Sequence, residues 1–525
     1  MPSSGEVVTK FVISGNPYAT PLQKSEPGKI CAVRGSRTRG WSARCGLLGA
    51  AWLAAAGGAA GESARPPAGW PAYGGDAGGR RYSPLEEITP ANVARLEVAW
   101  TYRTGDVSDG RGNVASTSAF QATPILADGT LYFCTPFNRV IALDPETGAE
   151  RWRYDPALDL SGRYANQLVC RGVSTWLDPR AGPERRCRRR IFTATNDARL
   201  IAIDAASGLP CADFGQAGQL DLNLGVGSQR WKGEYQVTSP PAILGDAVVV
   251  GSAVSDNQRT DAPSGVVRAY DARSGALRWS WDLAPPDADP SLPRAAGSGH
   301  VLGTPNVWAP MSVDAARGLL FVPTGNPAPD YYRGQHPEMD HYGSSVVALN
   351  GASGRVVWRF QTVHHDLWDF DVPAQPTLAS VRRNGAAVPA VIQATKIGHL
   401  FVLHRETGTP LFPVEERPVP QRGVPGERLA PTQPFPVKPP SLVPQQLAPE
   451  EAWGLTALDQ RWCRDRIAAL RFDGVFTPPS LEGTLMIPGN GGGSNWGGIA
   501  VDPERQLAIA KAERVDPNCA QVGPP

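Results

Sequence analysis

Three oxygen-bearing side chains in this 525-residue sequence each sit just beyond an apolar stretch that predicts a strand: Asp256 in GSAVSDN, Asn326 in PTGNPAPD and Asp369 in HHDLWDFD. Carboxylate and amide oxygens are hard donors of the kind that calcium or magnesium takes. Asn257 and Asp330, close by, offer the same atoms and are alternatives. Any one of these groups alone would ordinarily cap a turn. A shared cation therefore requires that their loops converge. A carboxylate held beside such a cation stays ionised at neutral pH, and an ionised carboxylate can accept a proton.

The elements that would bring these loops together recur along the chain. A short apolar strand is followed by Asp or a similar residue, a Gly four positions later and a bulky residue four beyond that. The pattern reads ALDPETGAERW (142–152), AYDARSGALRW (269–279) and ALNGASGRVVW (348–358), with weaker copies AIDAASGLPCA (202–212) and VLHRETGTPLF (402–412). The turn glycines are 148, 208, 275, 354 and 408, at intervals of 60, 67, 79 and 54. Such spacing with β signals predicts propeller blades carrying insertions. The Asp/Gly turn closes a hairpin and the Trp wedges between neighbouring sheets. A preceding strand, LEVAWTY around Trp100, supplies a further bulky position, and GTLMIPGN and GIAVDPERQLAIAKA start another blade, giving about six blades and part of a seventh. The Pro-rich stretch 414–449 shows no strand alternation and reads as a long excursion loop, a candidate cover for the site.

Composition agrees with an all-β reading: 15 Trp, 57 Gly and 51 Pro describe a turn-rich chain. Its 51 basic and 50 acidic residues nearly cancel, and no basic stripe with interleaved aromatics marks a nucleic-acid surface. The eight Cys form no CxxC pair, which excludes zinc knuckles and thioredoxin-type motifs. Cys187 and Cys211 flank one hairpin-like unit, and spacing leaves open a disulfide or two buried thiols. Residues 1–66 read as a leader: Arg34, Arg37, Arg39 and Arg44 precede an apolar run from Cys45 to about Ala60, an export signal or a marginal anchor. Residues 67–525 would then be the propeller.

WPAYGGDAGGRRYSPLEEI, CRGV, TSPPAI, HHDLWDFDVPAQPTL, ATKIGHLFVL and FTPPSLEGTLMIPGN together resemble the glucose/quinate/shikimate branch of the pyrroloquinoline quinone (PQQ) dehydrogenases, from Trp70 to about Ala510. The resemblance implies an eight-bladed propeller with PQQ and Ca2+ or Mg2+ near its axis, the cation held by Asp256, Asn326 and Asp369. Oxidising an alcohol requires removal of its hydroxyl proton, a task that falls to Asp369. Lys396, 27 residues later, occupies the position where the family sets a cation against the quinone oxygens. Trp308, 18 residues before Asn326, matches the stacking Trp. Arg171, Thr238 and Gln121 match rim contacts, and Asn495 with Trp496 a late cofactor contact. The implied reaction is oxidation of a sugar or cyclic polyol, with electrons passing to a membrane quinone or a cytochrome, in an exported, periplasmic protein that is soluble or membrane-associated through its N-terminal segment.

The chain departs from that branch at two places. Gln167 stands where the glucose branch has a His, three positions before Cys170, which argues against glucose itself; Ala165 and Asn166 occupy the place of the vicinal cysteine pair of the alcohol dehydrogenases. The sequence also stops at Pro525, short of the family's last one to two blades. An inactive, truncated remnant and a non-catalytic periplasmic scaffold are the competing expectations.

Overall fold

A computed structural model of the chain describes residues 7–12, 69–334, 337–513 and 521–522. The apolar run of the leader lies outside them. Among the described residues no helix is long and apolar enough to cross a membrane.

Four four-stranded antiparallel sheets follow one another along the chain. The first is Ile125–Ala127, Thr130–Cys134, Val140–Leu143 and Glu150–Tyr154. The second is Ser174–Leu177, Arg189–Ala194, Arg199–Asp204 and Gln219–Asp221. The third is Ala242–Leu244, Ala247–Val250, Val267–Asp271 and Leu277–Trp281. The fourth is Ser312–Asp314, Leu319–Pro323, Ser345–Asn350 and Val356–Gln361. A three-stranded sheet, Thr377–Arg383, Ala386–Ala394 and Leu400–His404, comes next. Ile499–Asp502 and Leu507–Ala512 then pair, and Val7–Val12 adds to the latter's free edge.

The Trp wedge works as the repeat predicts. The indole Nε1 of Trp152 donates to Ala205 O (3.0 Å), that of Trp279 to Gly351 O (2.9 Å) and that of Trp358 to Arg405 O (3.0 Å). Each acceptor lies three residues before the turn glycine of the next sheet. That glycine must be small: a Cβ on Gly354 would meet Trp279 Cε3 at 2.5 Å, and its φ of +70° disfavours a side chain as well. Trp100 docks in the same way, through Pro145 O at 3.2 Å. Its segment forms no strand, contrary to expectation, and Leu96 and Val98 beside it are exposed. Where the repeat carries Ala212 in place of Trp, the Gly275 turn packs instead on Leu220 and the backbone of Gly215.

The segment 70–81, legible only as a motif, fastens the inner strands. Trp70 O, Ala77 O, Gly78 O and Arg80 O accept the backbone N–H groups of Leu126, Val313, Leu378 and Val501, which belong to four different sheets. Two expectations need correction, and one helix was unforeseen. The 414–449 stretch contains a hairpin, Val414–Pro418 paired with Thr432–Pro436, because alternate residues on an exposed ribbon need not be apolar. Ala457–Ala469 is an α-helix started by a Thr456/Asp459 capping box. GTLMIPGN supplies only the short strand Thr484–Leu485, paired with Gln521–Val522. Disulfides join Cys187 to Cys211, one of the two open readings, and Cys134 to Cys170, which spacing did not indicate.

Candidate functional site

In an antiparallel sheet the start of the first strand and the turn between the second and third lie at one end. All the chemistry-bearing segments occupy these two places. Gln121, Arg171, Thr238, Trp308 and Asp369 precede first strands, whereas Asp256, Asn326, Asp330 and Lys396 lie in second-to-third turns. The shared blade topology therefore gathers residues spread over 276 positions, from Gln121 to Lys396 counted inclusively, at one end of the molecule.

There they line a cleft of about 340 Å³, whose walls include Gln121, Arg171, Thr238, Asp256, Asn257, Trp308, Asp330, Asp369 and Lys396. Asn166, Gln167, Asn306 and Asp371 share it, the last two unforeseen in the sequence. Lys396 Nζ lies 2.7 Å from Asp369 Oδ1 and 2.8 Å from Asp371 Oδ1. Trp308 Nε1 donates to Asp371 Oδ2 at 2.6 Å, and Asn306 Nδ2 to Asp256 Oδ2 at 2.7 Å. Asp369 holds a left-handed φ of +55°, costly for a non-glycine residue and common at functional sites. The turn is fixed from behind by Asp366, whose Oδ1 accepts the backbone N–H groups of Trp368 and Phe370.

The charges in this cleft do not balance. Four carboxylates face one lysine. Burial, with repulsion from Asp371, pushes Asp256 up to about 6. Burial also drives Asp330 well above the carboxylate range, with Asp256 and Asp369 adding to it. Asp369 is raised too, because burial and the other carboxylates outweigh Lys396. Lys396 itself stays charged, since Asp371 and Asp369 override its own burial. A divalent cation among these oxygens would offset most of the excess.

The opposite wall has the opposite need. Arg171 is fully buried without a carboxylate partner, and burial lowers it to about 10. It donates to Thr238 Oγ1 at 2.6 Å, its guanidinium carbon lies 5.0 Å from the Trp308 ring centroid and 6.0 Å from that of Trp496, and its Nε has no partner. Asn306 Oδ1 and Gln121 Oε1 are likewise unpaired. A flat aromatic wall beside an uncompensated guanidinium suits a planar anionic guest.

Three expected residues stand apart from the cleft lining, Trp496 among them, its ring 6.0 Å from the Arg171 guanidinium carbon. Asn495 is half-buried, its Nδ2 bonded to Gly491 O. Asn326 is buried behind the wall, with Ser344 Oγ 2.6 Å from its Oδ1 and 2.7 Å from Asp366 Oδ2, while its Nδ2 has no partner. One hydroxyl has one proton and cannot donate to both acceptors. Turning the amide over lets Nδ2 donate to Ser344 and Ser344 donate to Asp366, which frees the Asn326 oxygen as a ligand atom.

A family profile described as "PQQ: Glucose/ethanol/alcohol dehydrogenase, beta-propeller domain" matches residues 70–522. The chain is 42% identical over 479 residues to quinoprotein glucose dehydrogenase A of Acinetobacter calcoaceticus, covering 86% of this chain and 59% of that protein. It is 38% identical to the quinate/shikimate dehydrogenase (quinone) of Acinetobacter baylyi, covering 86% of this chain and 57% of that protein. The crystal structure of quinohemoprotein alcohol dehydrogenase from Comamonas testosteroni superposes with a TM-score of 0.59 at 26% identity, over 83% of this chain and 56% of that one. The chain thus spans somewhat under three-fifths of the length of these relatives. Matched across its described body, and with a cleft whose charges call for a cation and a planar anion, the chain belongs to the PQQ-dependent glucose/ethanol/alcohol dehydrogenase β-propeller family.

Proposed function

We propose that this chain is the PQQ-binding catalytic propeller of a dehydrogenase that oxidises a CH–OH group of a sugar or cyclic polyol, within an eight-bladed ring to which the six sheets belong. The observation that carries the reading is the Lys396 bridge between Asp369 and Asp371 beside Trp308, in a cleft with too many carboxylates for its one lysine. PQQ, a flat tricarboxylate, fits the aromatic wall and the unpaired Arg171, and Ca2+ or Mg2+ fits the oxygen set.

Bound there, the quinone would accept hydride from the substrate carbon while the cation supplies Lewis acidity. Asp256, Asp369 and the freed oxygen of Asn326 would hold the cation, with Asp330 and Asn257 within the same cleft. Trp308, fixed by its bond to Asp371, would stack on the ring, and Arg171, Thr238 and Gln121 would hold its rim; Trp496 touches Arg171 from the far side. Asp369 would take the hydroxyl proton, and Lys396 would keep that carboxylate ionised and oriented. Asn166 and Gln167 line the remaining wall and would meet the substrate; with Gln167 in a place where the glucose branch has His, polyols other than glucose are favoured. Electrons would leave to a membrane quinone or a cytochrome. The two disulfides support an exported, periplasmic setting.

A dye-reduction assay of the chain supplied with PQQ and Ca2+ or Mg2+, run across glucose, quinate, glycerol and simple alcohols, tests the reading. Cation-dependent dye reduction with a cyclic or linear polyol is the expected result. A folded chain inactive with every substrate would leave the remnant or scaffold reading in its place.

A further inference from the structure

The HHDLWDFD segment carries more than Asp369. His365, four residues earlier, is buried at a left-handed φ of +43° and contacts a carboxylate through each ring nitrogen. Nδ1 is bonded to Asp340, and Nε2 lies 2.9 Å from Glu427 Oε1. Both partners accept hydrogen bonds when ionised, so both imidazole nitrogens must carry protons: His365 is an imidazolium. The buried guanidinium of Arg333 pairs with Asp340 and donates to the Asp366 carbonyl, and the Arg333 backbone N–H donates to Glu427 Oε2 at 2.6 Å. Two cations and two anions close a charge-balanced ring, unlike the cleft beside it.

This ring joins three segments far apart in sequence. Arg333 and Asp340 come from the insertion in the fourth sheet, His365 from the segment that turns at Asp369, and Glu427 from the Pro-rich excursion. Asp366 lies between the ring and the reactive turn. Its carbonyl is held by Arg333, and its carboxylate fixes the amides on both sides of Asp369. None of residues 414–449 lines the cleft; the excursion reaches it through this ring and through Leu442 N–H and Gln445 Nε2, which donate to the Gly398 and Ile397 carbonyls beside Lys396.

We propose that Glu427 and His365 form a buried latch by which the Pro-rich excursion positions Asp369 for proton removal, an inference that rests on the dehydrogenase reading above. Both are positioning residues, since neither reaches the cleft. The latch restrains the strained turn against relaxing to an ordinary conformation, which would swing the carboxylate away from Lys396.

Glu427→Ala, His365→Ala and their combination, each supplied with PQQ and Ca2+, provide the test; Glu427→Gln, which keeps one acceptor, serves if either Ala variant fails to fold. Because misplacement of a reacting group by about 1 Å can cost roughly a hundredfold, we expect kcat to fall about tenfold or more while KM and PQQ affinity change less than about threefold. The double variant should be no worse than the poorer single one. Amide exchange at Trp368 and Phe370, measured without cofactor, should quicken in each variant. A lowered Tm with unchanged kcat would reduce the ring to a structural contact and overturn the proposal. If the unaltered chain neither binds PQQ nor turns over, the dehydrogenase reading fails instead, and exchange alone judges the latch: faster exchange upholds it, unchanged exchange overturns it.

Discussion

The wedge contacts of the blade frame and the charges of the cleft are carried by the same sheets yet are satisfied in opposite ways. In the frame, each wedge Trp finds its carbonyl, and the buried Arg190 finds Asp213 and the Arg273 carbonyl. In the cleft, carboxylates crowd together and polar atoms of Gln121, Arg171, Asn306 and Asp330 lack partners. A region that closes its own interactions needs nothing further. A region that leaves buried charges open is arranged around something it binds, and gives up stability in its absence.

The sharpest way to break this comparison lies in the cleft. Asp369→Asn keeps the shape but removes the proton acceptor, and turnover should fall by about 10²–10⁴-fold with PQQ still bound, a range typical of general-base loss; steady-state assay and cofactor titration separate the two. In the frame, Trp279→Ala should lower stability by about 3–5 kcal/mol, as emptying a packed aromatic site does, with cofactor affinity unchanged in molecules that remain folded. Denaturant unfolding measures it.

A third change should run against the usual sign. Asp256→Asn removes one of several like charges, so the chain without cation should melt at a higher temperature than the unaltered one, by the equivalent of about 1 kcal/mol. Calcium should then stabilise it less. Melting curves with and without Ca2+ read both effects, and a destabilised variant would mean that the carboxylates are satisfied as they stand.

The smallest effect concerns pH and the latch. Burial lowers the His365 pKa, but hydrogen bonds to Asp340 and Glu427 outweigh it, and the net shift is upward from 6.5. Burial raises Glu427, and the His365 bond with the Arg333 and Arg428 amides brings it below 4.5. A raised histidine contributes fully below pH 6.5 and loses its contribution as pH climbs through the folded value; a lowered carboxylate contributes fully above pH 4.5 and loses it as pH falls. With Arg333, Asp340 and Asp366 as the other charged neighbours, the latch should be strongest between pH 4.5 and 6.5, and the protection of the Trp368 amide, taken relative to its intrinsic exchange rate at each pH, should be greatest there.

The sequence was most legible where one physical constraint repeats. The Asp–Gly–Trp spacing found the turns, the wedges and even the weak second copy, where Ala212 leaves Gly275 to pack differently. Asp256, Asp369, Lys396, Trp308 and Arg171 meet in one cleft. Asp371 was missed although it stands two residues after Asp369, because the sequence gives no warning that Asp369 itself is left-handed. Asn306, two before Trp308, carries no motif of its own. The latch was beyond reach, since Glu427 lies 62 and 94 positions from its partners His365 and Arg333 and no local pattern marks such pairs. The hairpin at 414–436 and the helix at 457–469 show the same limit: neither presents the apolar periodicity by which buried elements announce themselves.

The most direct test of the account is a PQQ titration of the folded chain at several Ca2+ concentrations. The account predicts that PQQ and Ca2+ each tighten the other's binding by the same factor, as linkage requires, and that Asp256→Asn weakens this coupling. Binding of PQQ that is indifferent to Ca2+ and to Asp256, or no binding at all, would contradict it.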